Sequence, residues 1–142
     1  MQGSLRQNTL LSCLTSTLFR NSRQFRSFEK ILLQPKTMKT KTYHLLFRMA
    51  LVSNNNHSEA FNNLGVLEMR RGNADSSRAL FNSAASSGPH LFEPNFNLAS
   101  LASRTGDLQT SYVVVKKSLA TFPSHFESKE LLNRLNSYFS LL

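Results

Sequence analysis

Four histidines, eight carboxylates and one cysteine are the side chains of this 142-residue chain that could carry acid–base, metal or nucleophilic chemistry. The histidines are His44, His57, His90 and His125, and no two stand at i and i+4, so no helix face offers the paired imidazoles of an HExxH zinc site. Cys13 is alone, which excludes an internal disulfide and a multi-cysteine zinc site and fits a reducing compartment. No phosphate-cradling loop, dinucleotide fingerprint or GxSxG nucleophile elbow occurs. Asn56-His57-Ser58 matches a glycosylation sequon, which has meaning only in a secreted chain. His57, His90 and His125 fall in turns between helices and read as solvated loop residues. Glu59, Glu93 and Glu127 recur at a step of 34 residues where helices are expected to begin, so helix-start electrostatics accounts for them before any general-acid role does. No catalytic residue, metal or cofactor is expected, and the chain reads as a non-enzyme.

That 34-residue step leads to the elements. Leu46/Leu80/Val114, Phe47/Phe81/Val115 and Ala50/Ala84/Ser118 form three parallel rows at the same interval. The central unit, Ser58 to Pro89, places Phe61, Leu64, Gly65, Gly72, Ser77, Phe81, Ala84 and Pro89 at the spacings of a helix–turn–helix repeat. Gly72 and Gly106 stand where a first helix must close with φ > 0, and Asn73 and Asp107 follow as candidate N-caps of second helices. Small residues at Gly65/Ala99 and Ala84/Ser118 let paired helices approach closely. Ser124-x-x-Glu127 is a capping box, and Asn56-x-x-Glu59 has the same spacing.

These spacings resemble the tetratricopeptide-repeat family, with Ser77 where Ala is usual, Glu68 where an aromatic is usual, and Asn95 where an aromatic is wanted beside Phe96. The resemblance implies an all-α fold, a solenoid of helix–turn–helix pairs. The expected organisation is a leader and linker over 1–42, a half-repeat over 43–57, repeats over 58–91 and 92–125, and a capping helix over 126–142. Lys129 and Asn133 replace the residues that a following helix would pack against. The missing first helix before residue 43 predicts a bare apolar face around Leu46 and Phe47, and a marginal fold unless a leader or partner covers it.

Charge separates the leader from the repeats. Residues 1–56 carry nine Lys and Arg against Glu29 alone, a net +8, whereas residues 57–142 are nearly neutral at +1. The repeat region therefore has no nucleic-acid footprint. The leader is basic and rich in Ser, and Leu11, Leu14, Leu18 and Phe25 form a short amphipathic stripe within it. It reads either as a disordered segment or as a mitochondrial or anionic-membrane targeting signal. No run of 18 apolar residues exists to span a membrane.

In this family the first helix of each pair lines the concave face, which commonly receives a partner segment. Carried over by register, that face would show Glu59, Asn62, Val66, Met69 and Arg70, then Glu93, Phe96, Ser100, Ser103 and Arg104. A chaperone-type carboxylate clamp would need basic and Asn side chains across three repeats, and Val66 breaks that pattern. The phrases RMALVSNNNHSEAFNNLGVLEMRRG and HLFEPNFNLASLASRTGDLQTSY, with the FPSH loop, resemble the C-terminal part of the tetratricopeptide subunits of the BBSome. The resemblance implies a non-enzymatic scaffold in a coat-like complex that moves membrane proteins through cilia. Its partners would be other BBSome subunits, at the cilium, the basal body or in the cytoplasm. The rival reading is a truncated product without independent activity.

Overall fold

Six α-helices and no strand make up residues 36–141, the part of the chain that the computed structural model describes. They are α1 (Lys36–Ser53), α2 (Ser58–Arg70), α3 (Ala74–Ser87), α4 (Glu93–Arg104), α5 (Leu108–Thr121) and α6 (Phe126–Phe139). The chain divides into two compact units, one ending at Asn55 and the other running from Asn56. The leader stripe and Cys13 lie outside the described residues.

In the first unit, α1 begins at Lys36, within the stretch expected to be linker. Its residues 36–42 hold no Gly or Pro, and Lys and Met propagate a helix readily. Leu46, Phe47 and Ala50 are 4%, 5% and 2% exposed, so the bare apolar face anticipated there is not present. Leu45, Met49 and Val52 occupy the other side and remain open.

In the second unit the helices pair in chain order. α2 packs on α3 and α4 on α5, while α3 meets α4, α5 meets α6, and α2 touches α4. Phe81, Leu98, Ala99, Leu101, Val114, Val115, Leu131 and Leu135 form one continuous core cluster. Burying each of the large ones stabilises the fold by about 1.5–3 kcal/mol.

Each pair is held by the same device. Ser77 Oγ donates to the carbonyl of Gly65 at 2.8 Å, and Ser111 Oγ donates to that of Ala99 at 2.8 Å. Both serines are fully buried, and the bond to a main-chain carbonyl is what satisfies each hydroxyl there. Beside them a Cβ at Gly65 would lie 2.6 Å from the Phe81 ring. In the second pair the same two rows hold Ala99 and the smaller Val115, both fully buried in the core cluster. The sum of the two volumes is thus shared differently in the two repeats.

The turns follow the glycines. Gly72 and Gly106 have φ of +85° and +83°. Asn73 N–H donates to Glu68 O and Asp107 N–H to Ala102 O, which closes α2 and α4 in Schellman turns. Asp107 then caps α5, accepting from Thr110 N at 3.1 Å. Hydrogen bonds from Thr110 hold its carboxyl below the ordinary 3.8; desolvation opposes them and the Arg78 guanidinium adds to them. Asn73 occupies the N-cap of α3 but turns its side chain away, and its Nδ2 donates to Glu68 Oε2 at 2.6 Å. Glu68, nearly buried, also takes Arg71 Nη1 at 2.8 Å, so two donors satisfy a carboxylate where an aromatic is usual.

Two helix starts differ from the expected caps. The N-caps of α2 and α6 are His57 and His125, one residue after Asn56 and Ser124. Neither histidine is solvated as anticipated: His57 is 9% exposed, and the His125 ring packs among Phe92, Phe96 and Phe122. His125 Nδ1 accepts from Ser128 N at 3.3 Å and meets Ser128 Oγ at 2.7 Å, leaving Nε2–H to donate to Glu127 at 3.1 Å. An imidazole nitrogen can take an orphan helix N–H as a cap oxygen does, and the ring adds an apolar face that Asn or Ser lacks. His57 Nδ1 lies 3.4 Å from Ala60 N and 3.1 Å from Glu59 Oε2, and one nitrogen can serve only one of them at a time. His90 is exposed, as expected.

Candidate partner-binding face

The first helices of the pairs, α2 and α4, and the last helix α6 present equivalent rows at the 34-residue step. Lys129, Asn133 and Asn136 of α6 stand in the rows of Phe61, Gly65 and Glu68 or of Asn95, Ala99 and Ala102, and all three are exposed. The side of α6 that faces the opposite way shares a groove with α4.

The ten residues expected on this face are all at least partly accessible. Glu59, Arg70, Glu93 and Arg104 are exposed, and Asn62, Val66, Met69, Phe96, Ser100 and Ser103 are half-buried. Val66, Met69 and Phe96 also pack against the core cluster, so they support the face as well as form it. Asn62 Oδ1 accepts from Asn97 Nδ2 at 2.9 Å, which ties α2 to α4 side by side.

Four of the ten meet in one groove of about 320 Å³. Phe96, Ser100, Ser103 and Arg104 form its α4 wall, and Glu127, Glu130, Leu131 and Arg134 form its α6 wall. The Phe96 ring meets His125 edge-on with centroids 4.8 Å apart, so the cap of α6 fixes one end of the groove. The α2 residues do not line this groove. Glu127, Glu130, Leu131, Arg134 and Asn97 are not among the ten residues that the register places on this face. The signal was available: Glu130 and Arg134 are the next members of the Asn62/Phe96 and Val66/Ser100 rows.

The groove offers an apolar floor from Phe96 and Leu131, hydroxyls from Ser100 and Ser103, and charges of both signs. Among the described residues no three His, Cys, Asp or Glu gather as metal ligands would, and no helix is long and apolar enough to cross a membrane.

No protein-family model matches the chain. Human tetratricopeptide repeat protein 8 is 50% identical over 103 residues, covering 72% of this chain and 19% of its own length. The protein of the same name from Caenorhabditis elegans is 39% identical over 89 residues, covering 63% of this chain and 18% of its own. The chain thus matches about a fifth of the length of these curated relatives. Among solved structures, the first tetratricopeptide-repeat domain of Spaghetti (RPAP3), bound to an HSP90 peptide, superposes with a TM-score of 0.68 at 11% identity, over 74% of this chain and 85% of that one. The Yersinia enterocolitica type III secretion chaperone SycD, in complex with a peptide of the translocator YopD, gives 0.60 at 19%, over 93% and 88%. The chain is therefore a tetratricopeptide-repeat α-solenoid whose sequence, over most of its length, matches a segment of tetratricopeptide repeat protein 8.

Proposed function

We propose that the chain works without catalysis as a protein-interaction scaffold, and that the face made by α2, α4 and α6 receives a segment of a protein partner. The observation that carries this reading is the groove between α4 and α6, built from rows that the repeat register places side by side. The Spaghetti domain and SycD, which share the fold, are each described with a bound peptide, which supports segment capture as the mode. The finer reading is a role in the BBSome, the ciliary trafficking coat, with its other subunits as partners and the cilium or basal body as the place of action. The likeness to tetratricopeptide repeat protein 8 supports it.

Co-purification from ciliated cells tests this. The tagged full chain should recover other BBSome subunits, and S100R/S103R, which fills the groove, should lose them. Substitution of Lys116 and Lys117, exposed on α5, should leave recovery intact. Recovery of chaperones and proteasome alone would sink the reading.

A further inference from the structure

Charge on this face is sorted by position. Glu59, Glu93 and Glu127 lie in the first turns of α2, α4 and α6, whereas Arg70 and Arg104 close α2 and α4. Arg134 joins Arg104 in lining the groove, one helical turn before the strict 34-residue position. Complementing the helix dipoles accounts for charges at the ends of a helix. It does not account for Glu130 and Arg134, which lie within α6. These two stand at i and i+4 yet form no ion pair, and neither they nor Arg104 has an ion-pair partner among the described residues. The groove thus carries carboxylates, Glu127 and Glu130, toward the start of α6 and guanidiniums, Arg104 and Arg134, toward the other end, a charge order that a ligand of opposite order would complement.

We infer that the α4–α6 groove takes an extended protein segment with basic residues at one end, acidic residues at the other, and small or apolar residues between. The inference rests on the reading of this face as the partner face. The basic end would face Glu127 and Glu130, the apolar middle Phe96 and Leu131, and the acidic end Arg104 and Arg134. Length follows from helix geometry. Glu127 and Arg134 are seven residues apart, which is about 10 Å along a helix. An extended chain rises about 3.3 Å per residue, so roughly three to four residues separate the two charged ends of the ligand.

Titration of the isotope-labelled full chain, followed by NMR at low salt, tests it with three synthetic octapeptides of one composition. Two are block-charged, Lys-Lys-Ala-Leu-Ala-Ala-Glu-Glu and the same blocks in reverse order. The third alternates its charges, Lys-Glu-Ala-Leu-Ala-Ala-Lys-Glu. One block peptide should bind at least tenfold more tightly than the alternating one, with shifts gathered at Phe96, Ser100 and Leu131. R104E/R134E should reduce that preference to less than twofold while leaving the amide spectrum dispersed. Equal binding of all three at the groove overturns the charge order and leaves the partner-face reading standing. Shifts confined to other surfaces, or no shifts with any peptide, overturn the inference, and co-purification reports on the broader reading separately.

Discussion

Ser77 Oγ reaches across from α3 to the carbonyl of Gly65 in α2 at 2.8 Å, and Ser111 repeats the contact on Ala99, 34 residues on, at 2.8 Å. The bond ties a second helix to the backbone of a first helix, so it depends on close approach and not on a matching side chain. Both carbonyls lie inside helices and keep their helical N–H donors. Ser77→Ala and Ser111→Ala should therefore each cost only about 0.5–1.5 kcal/mol, the net worth of a hydrogen bond without an orphaned partner. Urea unfolding of each variant checks this, and a loss above about 3 kcal/mol at either site would contradict it.

Gly65→Ala sets a methyl against the Phe81 ring, 2.6 Å from its nearest atom, and should destabilise by about 1–3 kcal/mol through overpacking. The second repeat combines Ala99 with Val115 in the same two rows, both fully buried. G65A/F81V should therefore be more stable than the sum of the single changes predicts, by at least about 1 kcal/mol. Strict additivity in a double-mutant cycle would count against the proposed contact.

Adjacent leucines of α1 should respond very differently. Leu46 is 4% exposed and Leu45 is 59% exposed. Leu46→Ala should cost about 2–5 kcal/mol and Leu45→Ala less than about 0.5 kcal/mol. Loss of α1 signal on unfolding, followed by a probe placed in that helix, reads the first unit without averaging over the second.

Asp107 gives the pH response a direction. Its carboxyl titrates below 3.8 in the folded chain, chiefly through hydrogen bonds from Thr110. A depressed folded value means that the ionised form contributes stability above the unfolded value, and that the contribution is lost as pH falls through the folded one. The urea midpoint of the native chain should fall more between pH 5 and pH 3 than that of D107N. Parallel curves would remove Asp107 from the account.

Much of the architecture was legible because solenoid packing repeats itself. Gly72 and Gly106 announced the positive φ, and Asp107 its cap, because those backbone demands are met by few residue types. The capping-box spacings place the N-caps at Asn56 and Ser124, one residue before His57 and His125, because an imidazole is an uncommon cap and leaves no such spacing to read. The start of α1 was obscured because Lys and Thr carry no apolar period. On the candidate face the row spacing gives the α4 wall of the groove, Phe96, Ser100, Ser103 and Arg104, whereas Glu130 and Arg134 stand one step further along the Asn62/Phe96 and Val66/Ser100 rows, in a helix whose exposed Lys129 and Asn133 mark it as a cap.

The unequal sharing of volume between Gly65/Phe81 and Ala99/Val115 bears on how the chain avoids pairing the wrong helices. Tandem repeats invite each first helix to choose a neighbour's second helix, since all carry similar stripes. Here Ala99 seated on α3 in the place of Gly65 would drive its methyl into the Phe81 ring, and Gly65 seated on α5 in the place of Ala99 would leave a hole beside Val115. Each exchange of first helices between the two pairs is thus penalised by one side chain, although all the helices carry similar stripes.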